Sequence, residues 1–311
     1  MKRWSKVLSV LVLCWVMEPR VEPLAYSPAV LHGEQLLPIA HVVERAIRAG
    51  QVPGAVVLIG NQGKVVYLQA FGYRLIKPKR LPMTPNTIFD VASLTKVVAT
   101  TTAVMQLVEG GRLDLEDPIC KHWPEFKING KERITIRDAL THYSGLRPAL
   151  GLKPAWSGYE TALRKIAEEK PISPPGKQFA YSDINFVILG ELIQRISAKS
   201  LEVYCRDHIF RPLGMKDTCF RPARDLRKRI APTEGGRIGE VHDPIAYRMG
   251  GVAGHAGVFS TADDLSIFAQ MLLDGGRTQN EQILSALMIE RMTMPQSPPD
   301  KMPWKGLGWD I

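Results

Sequence analysis

The 311-residue chain has four cysteines, Cys14, Cys120, Cys205 and Cys219, and no two of them form a C-x-x-C pair. That disfavours a structural zinc site, which needs paired thiolates or histidines at short spacing. One bridge between Cys205 and Cys219 is conceivable in an oxidising compartment, but free buried thiols are the simpler reading. The chain also lacks an apolar stretch suited to crossing a membrane: Val7 to Met17 covers 11 residues, Ser9 among them, against about 20 for a spanning helix. Charge of one sign is nowhere concentrated. Lys plus Arg number 40 and Asp plus Glu 31, a net +9. The densest basic run, Arg224 to Arg229, contains Asp225 and no aromatic residue. It reads as a solvated face, because a nucleic-acid site wants a basic stripe with stacking side chains. Repeats are absent. No histidine pair has metal-ligand spacing and no organic-cofactor motif occurs, so no metal and no cofactor are expected.

What is there suits a globular enzyme. Hydrophobic residues make up 45% and charged residues 23%, enough for one or two domains with a substantial core. Lys2, Arg3 and Lys6 precede the short apolar run, the pattern of a secretory leader, here given residues 1–25. The protein is therefore expected to be exported, periplasmic or secreted. An uncleaved leader anchoring it to the membrane is the alternative.

Residues 35–49 carry Ile39, Val42, Val43, Ala46 and Ile47 at helical spacing, ended by Gly50. Gly54 to Ile59 and Lys64 to Phe71 flank Asn61-Gln62-Gly63 and predict a β-hairpin. A long helix is expected from about Ser93 to Glu109, and shorter ones at Ile136 to His142, Tyr159 to Glu169 and Asn185 to Ser197. Arg221 to Met249 reads as irregular. Ser260 with Asp263 forms a predicted capping box for a helix ending near Gly275, and Gly306 to Ile311 is a strand-like remnant. Early strands with helices in the middle predict an α+β fold, with a helical subdomain at about 93–260 inside a domain running 30–311.

Ser93-Leu94-Thr95-Lys96 is an S-x-x-K motif opening a helix. Residues three apart share a helix face, so hydroxyl and amine can meet, and a helix start favours developing negative charge. A serine hydroxyl becomes a useful nucleophile only when a neighbouring base removes its proton. Lysine can do so once burial or a nearby cation lowers its proton affinity. Tyr181-Ser182-Asp183, preceded by Pro174-Pro175-Gly176, offers a phenol as a second proton-transfer group. Either motif taken alone is common.

Set in their flanks, they are informative. The stretches Ile88 to Lys96 (IFDVASLTK), Ile134 to Leu146 (ITIRDALTHYSGL), Tyr181 to Phe186 (YSDINF), Ile209 to Met215 (IFRPLGM) and Gly250 to Leu265 (GGVAGHAGVFSTADDL) resemble, in order, the serine β-lactamase-related and penicillin-binding protein superfamily. The resemblance is to its exported, class C-like serine hydrolases. It implies a β-lactamase/DD-peptidase-like fold, an antiparallel sheet flanked by helices. It also implies acyl transfer: Ser93 attacks a carbonyl, Lys96 and Tyr181 share the proton handling, and water resolves the ester. The Ser93 N–H would supply half of an oxyanion hole. The implied substrate is a small acyl compound or peptidoglycan peptide: an ester, an amide, a β-lactam or a D-amino-acid peptide.

Two departures qualify this. The family usually has Asn at the third position of Tyr-x-Asn, where this chain has Asp183. A carboxylate can accept from Lys96 but cannot donate while ionised, and it favours the charged lysine. The family also has a Lys/His/Trp-x-Gly strand following the segment that resembles Gly306 to Ile311. The reading expects that strand, its neighbours and a final helix to be missing, the hairpin of 54–71 to lack part of its cover, and activity to be weak. His255-Ala256-Gly257 fits the short pattern but precedes the expected position, so it is placed in a glycine-rich loop with His255 at the rim of the cleft. The competing reading is a catalytically impaired relative that binds cell-wall fragments, or a gene fragment.

Overall fold

The computed structural model describes residues 33–278 and 281–311. The leader assigned to residues 1–25 lies outside them. The fold is α+β, as expected. Helix α1 (Gly33–Arg48) is followed by strands β1 (Gly54–Asn61), β2 (Lys64–Leu75) and β3 (Leu81–Pro82), an antiparallel sheet in the order β1-β2-β3. The hairpin turns at Gln62-Gly63, both with positive φ, a conformation glycine adopts without steric cost. Helix α1 packs on β2 and a later helix, α10 (Ala262–Leu273), on β1. Val56 and Phe71 are buried there, while Val65, Val66 and Leu68 remain exposed.

A second small sheet matters more to the site. Strand β4 (Phe89–Asp90), β5 (Cys219–Phe220) and β6 (Val258–Ser260) pair antiparallel in the order β4-β6-β5. Phe89 faces Ser260 and Asp90 faces Phe259. Residues separated by most of the chain thus become neighbours. The stretch leaving β4 contains Ser93 and Lys96, and the one entering β6 contains His255 and Gly257.

The helical layer gathers round one segment. After α2 (Thr102–Glu109), α3 (Ile119–His122), α4 (Ile136–Leu140) and α5 (Tyr159–Glu168) comes α6 (Asp183–Ser197), followed by α7 (Leu201–Cys205), α8 (Arg211–Leu213) and α9 (Pro244–Arg248). Helix α6 touches α2, α3, α4, α5 and α7. Ile184, Phe186, Val187, Ile188, Leu189, Leu192 and Ile193 are all buried, so it is apolar nearly all round, as a central helix must be. After α10, α11 (Ala286–Thr293) ends the regular structure. Among the described residues no helix is long and apolar enough to cross a membrane. Cys120, Cys205 and Cys219 are free, and burial raises the Cys205 thiol well above its usual range.

Four sequence expectations need correction. The helix expected from Ser93 to Glu109 is not uniformly α: Ala92–Leu94 is a 3₁₀ turn and Lys96–Thr101 a π turn before α2. The wider turn is supported by Thr102, whose hydroxyl donates to the Val97 carbonyl five residues back at 2.9 Å; π turns recur at functional sites. The cap of α10 is Thr261, accepting from the Asp264 N–H, and not Ser260 with Asp263. Ser260 is committed to β6, and its hydroxyl lies 2.7 Å from that of Thr218. Helix α6 begins at Asp183, two residues earlier than expected. Gly306 to Ile311 is a turn closed by an isolated Lys305–Asp310 bridge and not a strand.

Close approach fixes one glycine. A Cβ on Gly254 would lie 1.9 Å from the Phe186 carbonyl oxygen of α6. Overpacking against backbone costs about 1–3 kcal/mol. Gly254→Ala is therefore expected to lower stability by about that amount or more, read as a reduced urea midpoint at unchanged m-value.

Candidate active site

Ser93 sits where the chain leaves β4. The Val91 N–H donates to the Val258 carbonyl at 3.0 Å, continuing the β4–β6 pairing. The Asp90 carboxylate then accepts from the Ala92 N–H at 2.9 Å. Ala92 has φ +46°, a left-handed conformation that costs a non-glycine residue of order 1 kcal/mol and recurs at functional sites. The result is a sharp turn presenting Ser93 to solvent. One turn on, Lys96 is only 3% exposed.

The lysine has company on every side. Its Nζ donates to Ser93 Oγ at 3.1 Å and to the His255 carbonyl at 3.3 Å, and forms an ion pair with Asp183 Oδ1 at 2.7 Å. The ammonium also lies 4.7 Å from the Tyr181 ring centroid and 5.7 Å from that of Phe186, a cation–π cage that gains strength where water is excluded. The Ser93 hydroxyl is thus accessible and its neighbouring amine dry.

Tyr181 and Asp183 reach this place through the segment 142–148. The Ala180 N–H donates to the His142 carbonyl at 3.0 Å and the Asp183 N–H to that of Pro148 at 2.7 Å. The Ser182 hydroxyl donates to the Arg147 carbonyl at 2.7 Å, and the Ser182 N–H to His142 Nδ1 at 3.0 Å. Gly145 permits this lacing: its φ is +76°, and a Cβ there would lie 2.0 Å from the Ser173 carbonyl oxygen. Tyr181 itself is 45% exposed. Its hydroxyl has no hydrogen-bond partner among the described residues; its ring, not its phenol oxygen, is what meets Lys96.

His255 requires a correction. It is 1% exposed, inside the wall of the cleft and not at the rim, because Nε2 is engaged by Asp243 Oδ1 at 2.8 Å. Gly257 follows with φ +122°, where a Cβ would meet the Gly251 carbonyl oxygen at 2.6 Å; it turns the chain into β6. Three contributors went unrecognised in the sequence. Asp243 holds His255 and accepts from the Ile245 and Ala246 N–H groups as the cap of α9. Burial works to raise its pKa, but the His255 and backbone hydrogen bonds outweigh burial and hold the carboxyl below its usual range. Asp-Pro at a helix start was the available signal. Asp90 also accepts from the His242 N–H at 2.7 Å, tying the nucleophile turn to the Asp243 loop; burial raises its carboxyl above the usual range. His142 lies with its ring centroid 4.5 Å from that of Tyr181 and 5.3 Å from that of Phe186.

Asp183, Asp243 and His255 each bring a potential donor atom within 4.8 Å of the others. The cation beside them is the Lys96 ammonium, paired with Asp183. Asp243 and His255 pair with each other at 2.8 Å.

The beta-lactamase family model matches residues 39–311. An N-acetylmuramyl-L-alanine amidase of Bacillus subtilis (strain 168) is 31% identical, over 94% of this chain and 74% of its own. A provisionally named D-alanyl-D-alanine carboxypeptidase of Salmonella agona (strain SL483) is 32% identical, over 86% of this chain and 70% of its own. Among solved structures, the octameric penicillin-binding protein homologue from Pyrococcus abyssi superposes with a TM-score of 0.71 at 29% identity, covering 88% of this chain. The chain spans 64% of that homologue's length.

The platform under Tyr181 gives a pH test. Burial, then the positive charges of Lys96 and Lys305, push the His142 imidazole down to about 3. In the unfolded chain it titrates near 6.5. Above that pH both states hold it neutral. As pH falls from there towards 3 the unfolded state binds the extra proton, so stability is lost. Between pH 6.5 and 5 this one group removes about 1.5 kcal/mol. His142→Asn, which tolerates a positive φ, is expected to narrow its stability gap to the wild type by about that amount over the same interval, measured by urea unfolding at both pH values.

Proposed function

The chain belongs to the beta-lactamase family, and from that membership and the surroundings of Ser93 we propose that it is a serine hydrolase working through an acyl-enzyme on Ser93. The observation that carries the reading is the 3.1 Å contact between an exposed serine hydroxyl and a buried lysine amine. In the proposed cycle Ser93 Oγ attacks a carbonyl while Lys96 takes its proton. The Ser93 N–H, in the first helical turn where backbone donors lack intrahelical partners, stabilises the oxyanion. Such a donor is worth about 100- to 1000-fold in rate. Tyr181, half-exposed with its ring against the ammonium, protonates the leaving group, and water resolves the ester with the same groups in reverse roles.

The relatives' names indicate cell-wall chemistry, an amidase and a D-alanyl-D-alanine carboxypeptidase. The proposed substrates are accordingly D-amino-acid peptides of the cell envelope, β-lactams, or related amides and esters. An exported location, periplasmic or secreted, follows from that chemistry, with membrane anchoring through the N-terminal segment as the further proposal. A second reading, a cell-wall-binding relative without turnover, is supported by the ion pair of Lys96 with Asp183 and by the unpartnered Tyr181 hydroxyl.

Intact-mass measurement after incubation with a fluorophosphonate or a fluorescent penicillin separates the two. One label per chain is expected for the wild type and none for Ser93→Ala. Lys96→Ala is expected to slow labelling by about 100-fold or more, the scale of lost base catalysis. A folded wild type that takes up no label would favour the binding relative.

A further inference from the structure

An amine that is to remove a proton needs an electron pair, and the surroundings of Lys96 supply the opposite. Its three partners, Ser93 Oγ, the His255 carbonyl and Asp183 Oδ1, match the three donors of an ammonium, which has no acceptor capacity. Only one of the three can take a proton away. A peptide carbonyl is too weak a base, and Ser93 is the group to be deprotonated. Asp183 remains, and its 2.7 Å contact is the shortest and the only one carrying full charge.

We propose that Asp183 is the proton acceptor that frees Lys96 to act as the base, an inference resting on the acyl-enzyme reading above. As the substrate carbonyl closes on Ser93, one N–H proton of Lys96 passes to Asp183 Oδ1. The electron pair left on Nζ takes the Ser93 hydroxyl proton, and the Oγ pair forms the bond to the carbonyl carbon. The lysine ends with the charge it began with, the aspartate is neutral, and the negative charge resides on the tetrahedral oxygen. When the intermediate collapses, the bond to the leaving group breaks; Tyr181 gives that group its hydroxyl proton and takes one from Lys96 in turn. Lys96 recovers one from Asp183, so the site returns to its starting charge and the serine proton has gone to the leaving group.

The groups around Asp183 suit this exchange. Its carboxylate is one-quarter exposed and faces an almost fully buried amine, so bulk water does not compete strongly for the proton. Asp243 lies nearby, its carboxyl held below the usual range by His255 and two backbone N–H groups. Tyr181 and the uncharged His142 complete the surroundings without adding charge. A carboxylate oxygen 2.7 Å from the amine is placed to take a proton from it and return it within one cycle.

Acylation rate constants with a p-nitrophenyl ester, together with endpoint fluorophosphonate labelling, test the assignment. Asp183→Asn accepts a hydrogen bond from Lys96 but cannot hold a proton. It is expected to acylate about 100-fold more slowly with KM little changed, while still reaching one label per chain on Ser93. Asp183→Glu, which retains a carboxylate, is expected to recover at least tenfold of that loss. An Asp183→Asn enzyme that acylates as fast as the wild type, with Ser93→Ala unlabelled, overturns this inference and leaves the serine hydrolase reading intact. A wild type that takes no label removes both.

Discussion

A lysine ammonium with 3% exposure is the constraint the rest of the site answers to. Removing such a charge from water costs several kcal/mol unless paired and hydrogen-bonded groups replace the lost hydration. Here a carboxylate, a carbonyl and a hydroxyl take the three N–H directions, and two aromatic faces fill the remaining space. The hydroxyl opens to solvent, where the amine does not. The residue that satisfies the cation is thus also one exposed to solvent, and the proposed chemistry rests on that coincidence.

Holding four remote chain segments to that tolerance is the task of backbone hydrogen bonds more than of side-chain packing. The β4–β6 pairing brings the Ser93 turn beside the His255 carbonyl. Segment 142–148 laces the Tyr181–Asp183 loop through bonds at Ala180, Ser182 and Asp183. Asp90 links the nucleophile turn to the loop at 242–243, and Asp243 carries the connection on to His255. Each link is short and directional, so a small displacement breaks it instead of stretching it. The apolar mass around α6 supplies the rigid backing.

Much of this was legible beforehand where the signal is local. The turn of the first hairpin, the periodicity of α1 and the placement of α5 and α6 follow from side-chain spacing. The misplaced cap of α10 shows the limit: Ser260 and Thr261 are equally good cap residues by type, and pairing of β6 with β4 decided between them. The burial of His255 was likewise invisible, because its partner Asp243 lies in a stretch with no periodicity to read. The π turn after Lys96 depends on hydroxyl bonds to distant backbone, such as that of Thr100 to the Gly254 carbonyl at 2.7 Å.

The amino-acid sequence alone determined that Ser93 and Lys96 face each other, because helical pitch places residues three apart on one side whatever surrounds them. Tertiary structure alone decided what state the amine is held in. Its carboxylate partner comes from the start of α6, and its carbonyl partner from a loop 159 residues away. Such partners are chosen by strand pairing and by the closure of long loops, whose free energies depend on the whole chain and leave no mark in any short stretch of it.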